Sequence, residues 1–283
     1  MKHSELSWTA SNGKKIFAQY WKPDTPPIAL VCMVHGFGEH SGRYAHVAKF
    51  FSDNGIAMVA YDMIGHGKSE GKRGHTPSYD FLIDQVDDLL KQADKNFKNI
   101  PRFLYGHSLG ANIALNYLLR RNYQERNIKG IIISSPWFRL PFDPPTFQVI
   151  LGKIMMKIWP SFTQSSKIDT KSISSDPSEV KKYEEDPLIH DKISPMLFFP
   201  AIDAGIFAQE QSHKIHLPML HFHGSKDRLT SHEASIAFSK NEKYDYSFRL
   251  FEGGFHEMHN ELNKDEVMNL IVNWIKNHLK QKD

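Results

Sequence analysis

A serine, an aspartate and a histidine occur in the chain order Ser108, Asp227, His256, each just beyond a stretch that is typical of a β-strand. Ser108 is the centre of a Gly-His-Ser-Leu-Gly pattern, which exposes a serine hydroxyl when it forms a turn between a strand and a helix. A serine is a weak nucleophile without a base, and the base needs a group that holds its tautomer. Together the three residues predict acyl transfer, with Ser108 as nucleophile, His256 as base and Asp227 as orienting acid.

Acyl transfer also needs N–H donors for the negative charge that develops on the carbonyl oxygen. One predicted donor is the backbone N–H of Leu109, and the other belongs in the loop after an early strand. The sequence His-Gly-Phe-Gly at residues 35–38 occupies that loop, so the N–H of Phe37 is the second predicted donor of this oxyanion hole. His35 is either catalytic or shapes the loop, and the second interpretation is favoured.

Other chemistries find less support in the sequence. His221, His223 and the histidines of residues 256–259 invite a zinc site, but no cysteine or carboxylate cluster completes a ligand set. The turn at residues 65–67 lacks the Lys-Ser/Thr pair of a phosphate-binding loop. Asp62 would be a nucleophile, as in epoxide hydrolases or haloalkane dehalogenases, only at the position that Ser108 occupies. We therefore expect no metal and no cofactor.

The elements that must position these residues follow an alternating pattern. A hairpin opens the chain, with strands at 5–9 and 15–21 and an Asn12-Gly13 pair that suits a type I′ turn. From residue 28 onward, strands alternate with helices, which predicts an α/β fold with a mostly parallel sheet flanked by helices. The predicted strands are 28–34, 56–61, 102–105, 131–133, 217–222 and 246–251. The predicted helices are 43–54, one capped by Ser78, 109–120 and 265–280.

The alternation fails between about residues 136 and 213, which we interpret as a cap inserted into a single domain of residues 1–283. Within it, residues 147–159 are apolar almost all round and carry only Lys153 and Lys157 as charges. This stretch is either a core helix, the wall of an acyl-chain tunnel, or a helix that rests on a membrane surface. We favour the tunnel with partial exposure, because a lipid substrate must leave an aggregate to reach Ser108.

Composition limits the partners and the compartment. The 283 residues carry 35 Lys+Arg against 32 Asp+Glu, a net charge of +3 that does not indicate a nucleic-acid partner. The single cysteine suits a reducing compartment, no apolar run is long enough to span a membrane, and the N-terminus lacks an apolar signal region. We expect a cytoplasmic protein that contacts membranes at most peripherally.

Four motifs resemble those of the monoacylglycerol lipase and lysophospholipase-like group of α/β-hydrolases, the serine aminopeptidase S33 type. They are HGFGEHSGRY at 35–44, DMIGHGKS at 62–69, DPL at 186–188 and GGFHEMH at 253–259. The resemblance covers nearly the whole chain from residue 28. It implies the α/β-hydrolase fold with an inserted cap.

The resemblance also implies a substrate and a binding site. Glu39, Arg43, Tyr183 and His259 would line the polar end of a pocket that holds a glycerol head group, although Glu39 and Arg43 alone would also suit an exposed ion pair. The expected activity is hydrolysis of monoacylglycerols to glycerol and fatty acid through an acyl-enzyme. The alternatives are a lysophospholipase, a carboxylesterase of broad specificity, and a hydrolase-fold protein that binds without catalysis.

Overall fold

An eight-stranded sheet forms the centre of the computed structural model, which describes residues 1–241 and 244–280. Its strand order is β1-β2-β4-β3-β5-β6-β9-β10. The first two strands form an antiparallel hairpin, β2 pairs antiparallel with β4, and the five remaining neighbouring pairs run parallel. The predicted α/β fold with a mostly parallel sheet is confirmed.

The strands of this sheet are β1 (Lys2–Thr9), β2 (Lys15–Lys22), β3 (Ala29–Val34), β4 (Ile56–Tyr61), β5 (Arg102–His107), β6 (Ile128–Ser134), β9 (Met219–Gly224) and β10 (Tyr246–Phe251). A short antiparallel pair, β7 (Gln164–Ser165) and β8 (Lys192–Ile193), lies apart from it. The helices are α1 (Ala45–Asp53), α2 (Tyr79–Asn96), α3 (Leu109–Arg120), α4 (Thr146–Ile158), α5 (Pro177–Glu185), α6 (Pro195–Gln211), α7 (His232–Ser239) and α8 (Lys264–Lys280).

Apolar side chains cover both faces of the sheet. Every residue of β3, β4 and β5 is buried, as expected for parallel strands that lie between two layers of helices. Helices α2, α3 and α6 pack on one face, and α1 and α8 pack on the other. Ser78 caps α2 by accepting a hydrogen bond from the Phe81 N–H, which confirms the predicted start of that helix.

The turn of the N-terminal hairpin differs from the prediction. Thr9 pairs with Lys15, so the connection is the loop of residues 10–14 rather than a two-residue turn. Gly13 has a φ of +78°, whereas Asn12 uses its side chain to accept a hydrogen bond from the Lys14 N–H at 3.1 Å. The predicted type I′ turn is wrong, because this side-chain contact stabilises a longer loop in place of a positive φ at Asn12.

Two parts of the segment between β6 and β9 differ in their packing. Helix α6 belongs to the core: Asn112 and Asn116 of α3 donate side-chain hydrogen bonds to the carbonyls of Ala201 and Ala204 in α6. Helix α4 has no buried residue and lies against α6. Of the predicted cap at residues 136–213, α6 therefore belongs to the core, and the part outside the core lies before α6 in the chain.

The end of this segment is joined to the loop after β3. The His190 N–H donates to the Gly38 carbonyl at 2.9 Å, and His40 forms a hydrogen bond of 2.9 Å with Asp186. These bonds fix the position of the inserted segment relative to the loop that carries Phe37. Among the helices of the described ranges, none combines the length and apolar character that a membrane span requires.

Candidate active site

Ser108 lies in a strained turn between β5 and α3, with φ 54° and ψ −117°. Positive φ is unfavourable for a residue with a side chain, so the surrounding structure must impose it. Two glycines make the turn sterically accessible: a Cβ on Gly106 would lie 2.4 Å from the Ala111 Cα, and one on Gly110 would lie 2.0 Å from the Val34 carbonyl oxygen. The turn thus places Ser108 on the wall of a large pocket.

Asp227 and His256 meet across the carboxyl ends of β9 and β10. Nδ1 of His256 lies 2.6 Å from Oδ2 of Asp227 and donates to it. The other carboxylate oxygen of Asp227 accepts hydrogen bonds from the N–H groups of Leu229 and Thr230, at 2.7 and 3.1 Å. His256 lines the same pocket as Ser108. The structure thus brings the three residues of the predicted order to one place.

The charges of this pair are stabilised by each other. Burial opposes ionisation of Asp227, but the charge of His256 and hydrogen bonds from His223 and His256 hold the pKa of Asp227 well below its ordinary value. Burial would lower the pKa of His256, but the Asp227 carboxylate outweighs it, and the pKa of His256 is raised. Asp227 therefore stabilises the imidazolium form of His256, which is the form that a general base adopts after it has taken a proton.

Of the residues predicted to supply the two N–H donors, Leu109 follows Ser108 directly in the chain, and Phe37 lines the same pocket as Ser108. Leu109 is the first residue of α3, and the N–H of a first helical residue has no intrahelical acceptor. Phe37 lines the pocket, while the N–H of the preceding Gly36 is occupied by Oε1 of Glu39 at 2.6 Å. His35 shapes this loop, because its Nε2 accepts from the Met63 N–H at 2.9 Å.

Glu39, Tyr183 and Glu257 form a polar part of the pocket lining, which we call the polar wall; the charged residues Lys167, Asp169 and Arg228 also line the pocket. Arg43 lies behind this wall, with only 8% of its side chain exposed. Its Nη1 donates to Glu39 at 3.0 Å and to Glu257 at 2.5 Å, and its Nη2 donates to Glu257 at 2.7 Å. Of the residues predicted to hold a head group, Glu39 and Tyr183 thus reach the pocket, and Arg43 supports them from behind.

His259 is fully buried and also lies behind the pocket wall. Its ring stacks on Tyr44 at 4.7 Å between centroids and meets the edge of His107 at 5.0 Å. Burial lowers the pKa of His259 well below its ordinary value, and burial lowers that of His107 to about 3. Both rings are therefore neutral and form a buried aromatic support beneath His256, whose ring lies 4.8 Å from that of His107.

The whole pocket encloses about 960 Å³, at the large end of the usual range for small-molecule sites, and most of its lining is apolar. Helix α4 has no buried residue, so the core interpretation of residues 147–159 is wrong. Instead, one side of α4 lines the pocket, and its other apolar side chains are exposed. The pocket-lining residues of α4 and α6 are Gln148, Val149, Leu151, Gly152, Met155, Pro195, Phe198 and Phe199.

Sequence reasoning missed two groups of this site. Glu257 was present in the histidine motif, but nothing in the sequence showed that its side chain would join the polar wall. His107 is the variable residue of the G-x-S-x-G pattern, and its contact with His256 depends on how two loops pack. Asp62 has a structural role: it accepts hydrogen bonds from Ser41 and from the Lys68 N–H, and so joins two loops.

Comparison with known proteins places this site in a family. The sequence model described as serine aminopeptidase, S33, matches residues 25–263, most of the chain. The chain belongs to the serine aminopeptidase S33 family. This membership confirms the predicted resemblance and the predicted class of serine hydrolase.

Individual S33 relatives align along almost the entire chain. A monoacylglycerol lipase of Mycolicibacterium smegmatis is 30% identical over 278 residues, which cover 98% of each protein. The crystal structure of the Paleococcus ferrophilus monoacylglycerol lipase superposes with a TM-score of 0.81 at 31% identity, and the match covers 98% of this chain and 100% of that one. An uncharacterized abhydrolase domain-containing protein of Dictyostelium discoideum is 33% identical over 281 residues. That match covers 99% of this chain, which spans only 30% of the Dictyostelium protein.

Proposed function

We propose that this protein hydrolyses monoacylglycerols to glycerol and a fatty acid, with Ser108 as nucleophile, His256 as general base and Asp227 as the acid that orients it. The observation that carries this proposal is the pocket itself. It joins Ser108 and His256 to a long apolar wall on α4 and α6 and to the polar wall of Glu39, Tyr183 and Glu257. An amphipathic ester fits such a pocket, because its one acyl chain can lie against the apolar wall and its small hydroxyl-bearing head group against the polar wall. The named relatives support the same substrate.

In the acylation step, Nε2 of His256 takes the proton of the Ser108 hydroxyl, and Oγ attacks the ester carbonyl carbon. The oxygen that becomes negative is stabilised by the N–H groups of Phe37 and Leu109, assisted by the positive end of the α3 dipole. His256 then gives its proton to the glycerol oxygen as the carbon–oxygen bond of the ester breaks. Glycerol leaves, and the acyl group remains bonded to Ser108.

Deacylation repeats these proton transfers with water. His256 removes a proton from the water, which attacks the acyl carbon, and the Ser108 oxygen leaves and recovers its proton from His256. Asp227 keeps the Nδ1 proton of His256 in place through the 2.6 Å hydrogen bond, so that Nε2 is free for both steps. No cofactor takes part in this sequence.

The polar wall favours a neutral, hydroxyl-bearing head group over a phosphate. Arg43, the cation directly behind this wall, is bound by two carboxylates, Glu39 and Glu257. These three charges sum to −1, so this part of the wall disfavours a phosphate, while Lys167, Asp169 and Arg228 add charges elsewhere on the pocket lining. Glycerol hydroxyls, in contrast, can donate to carboxylate oxygens and pair with the Tyr183 hydroxyl. A site built to pair with hydroxyls discriminates against esters that lack them.

The exposed side of α4 fits a transient contact with a lipid surface. Phe147, Ile158 and Trp159 are 68%, 75% and 53% exposed, and Lys153 and Lys157 lie on the same helix. Apolar side chains with flanking lysines are typical of helices that lie in a membrane interface. The chain would then act as one hydrolase domain of residues 1–283 whose cap, within residues 136–213, collects its substrate from membranes.

A panel of esters with one fatty acid tests this assignment. We expect a higher kcat/KM for the monoacylglycerol than for the methyl ester, the lysophospholipid and the triacylglycerol. Equal values for the glyceryl and methyl esters would leave a general carboxylesterase, and a preference for the lysophospholipid would indicate a lysophospholipase. Labelling by a fluorophosphonate separates any of these from a protein that binds without catalysis.

A further inference from the structure

A second histidine donates to the acid of the proposed triad. Nε2 of His223, on β9, lies 2.8 Å from Oδ2 of Asp227, the same oxygen that binds Nδ1 of His256 at 2.6 Å. The side chains of His223 and Asp227 are both 0% exposed. Oδ2 of Asp227 is thus shared by two imidazoles, and the Thr230 hydroxyl donates to the same oxygen at 2.9 Å.

The other nitrogen of His223 connects to a buried hydrogen-bond chain. Nδ1 of His223 lies 2.7 Å from the Ser235 hydroxyl of α7, and that hydroxyl lies 3.1 Å from Nε2 of His221. Nδ1 of His221 in turn lies 2.7 Å from the Tyr246 hydroxyl. We call the set His221, Ser235 and His223 the histidine relay.

The direction of the relay is fixed at its Asp227 end. An ionised carboxylate only accepts hydrogen bonds, so Nε2 of His223 must carry a proton. Burial lowers the pKa of His223, which keeps the ring neutral and leaves Nδ1 as an acceptor. The single proton of Ser235 therefore points to His223, and the Ser235 oxygen accepts from Nε2 of His221. Each bond orients the next toward Asp227.

We propose that His223 is a positioning residue for the reaction: held by Ser235 in its Nε2–H tautomer, it donates to Asp227 and so limits how strongly Asp227 attracts the proton of His256. This inference rests on the proposed triad. A carboxylate with an additional donor is a weaker acceptor for each of its partners, because the same lone pairs are shared. Without His223, Asp227 would bind the His256 imidazolium more strongly, and His256 would release its proton less readily.

The other charged and titratable groups near the relay are accounted for. The ring of His232, at the start of α7, lies 6.4 Å from that of His223, and it pairs with Glu233 rather than with Asp227. His256 is faced from the remaining elements by Glu39, Glu257 and the neutral His107. None of these groups takes the place of His223 as a donor to Oδ2 of Asp227, and the Thr230 hydroxyl, which also donates to that oxygen, is present in every variant compared below.

Two substitutions at His223 separate a donor from a merely structural side chain. His223→Phe keeps an aromatic ring and removes the N–H donor. The midpoint of the rise of kcat/KM with pH should therefore shift upward by about 0.5–1 pH unit, which is less than the shift that a full neighbouring charge produces. At a pH below both midpoints this is a roughly 3- to 10-fold loss. His223→Gln keeps an N–H donor and should restore the wild-type midpoint. Ser235→Ala should give a smaller shift in the same direction.

The matched control is His232→Phe, which removes a neighbouring histidine without touching Asp227 and should leave the midpoint unchanged. Each variant is first shown by circular dichroism to be folded. A folded His223→Phe variant with the wild-type midpoint, or a His223→Gln variant that shifts as far as His223→Phe, would overturn the proposal.

A direct readout of the relay does not depend on activity. Two-bond ¹H–¹⁵N spectra of the full chain, assigned by difference against His223→Gln, should show His223 neutral with its proton on Nε2. A proton on Nδ1, or a doubly protonated ring, at the pH of activity would contradict the relay. If the wild-type protein hydrolysed no ester, the proposed function would be wrong, but the spectra would still show whether His223 carries its proton on Nε2.

Discussion

Glu257 binds Arg43 through both carboxylate oxygens, at 2.5 and 2.7 Å from Nη1 and Nη2. This bidentate pair joins the residue beside His256 to the helical turn that follows the Phe37 loop. It fixes the orientation of Glu257 in the polar wall and keeps Arg43 from presenting its charge to the pocket. We expect the same contact to stabilise the fold and, if the proposed function holds, to favour an uncharged head group.

Removing Arg43 should destabilise the protein strongly. In Arg43→Met the carboxylates of Glu39 and Glu257 stay buried without a cation, which costs about 3–5 kcal/mol of unfolding free energy. Burial opposes ionisation of Glu39, but Arg43 keeps the pKa of Glu39 below its ordinary value. The ionised Glu39 therefore stabilises the wild-type fold at a pH above the pKa that Glu39 has in the unfolded chain, and this stabilisation is lost as the pH falls. In the variant the carboxylates can protonate instead, so the deficit should shrink between pH 7 and pH 5. Urea unfolding at both pH values measures it.

The control for this prediction is the exposed ion pair of Lys49 with Asp53 on α1, whose side chains are 59% and 57% exposed. Lys49→Met should cost less than about 1 kcal/mol. If Arg43→Met were no more costly than Lys49→Met, the buried charge cluster would not stabilise the protein as described.

The rate should depend on the protonation of His256 and on Asp227. Because His256 must be neutral to act as base and its pKa is raised, kcat/KM should rise with pH through a midpoint above about 6.5. Asp227→Asn should lower kcat by on the order of 10⁴, whereas the exposed Asp53→Asn should change nothing. A wild-type midpoint well below 6.5, or an active Asp227→Asn, would remove the assigned pair.

The Tyr183 hydroxyl should contribute to head-group recognition. Tyr183→Phe removes one hydrogen-bonding group from the polar wall and keeps the ring under Arg43, whose guanidinium lies 4.9 Å from its centroid. The preference for a monoacylglycerol over its methyl ester should fall up to about 10-fold, the value of one hydrogen bond. Tyr20→Phe on β2 is the control. An equal fall in kcat/KM for the monoacylglycerol and for the methyl ester would instead indicate a loss of folding or of catalysis.

The exposed side of α4 should control access to lipid surfaces. A double variant, Phe147→Ser with Ile158→Ser, removes two side chains that are 68% and 75% exposed. Its affinity for phosphatidylcholine–phosphatidylglycerol vesicles in a sedimentation assay should fall at least about 10-fold, while hydrolysis of a dissolved short-chain ester stays unchanged. Leu262→Ser, outside α4 and 72% exposed, should bind like the wild type. Equal binding by all three proteins would contradict the proposed contact.

The sequence predicted the backbone of this site well, because chain order and strand ends determine it. Parallel strands bring their carboxyl ends to one edge of the sheet, so Ser108, Asp227 and His256 had to meet once their strands were recognised. The turn at Ser108 was also predictable, because its glycines are required where the strand and the helix lie too close together for a side chain.

What the sequence could not predict depends on long-range side-chain packing. His221 and His223 were considered as zinc ligands, because alternation along a strand places them on one face but does not reveal Ser235 on α7 or the orientation of Asp227. The polar end was predicted to include Arg43 and His259, which lie behind the wall, and Glu257, which lines the pocket, was not among the predicted residues. For α4 the composition left a core helix, a tunnel wall and a membrane-surface helix open, because composition alone does not show which side of a helix faces a pocket.

The most direct test of the proposed function is to identify the residue that a long-chain fluorophosphonate modifies, by mass spectrometry of the digested protein, while monoacylglycerol hydrolysis is followed in the same sample. We expect one adduct, on Ser108, whose extent matches the loss of hydrolysis, and neither adduct nor hydrolysis in Ser108→Ala. An adduct on another residue, or a folded Ser108→Ala protein that still releases fatty acid from a monoacylglycerol, would contradict the assignment of Ser108 as the nucleophile.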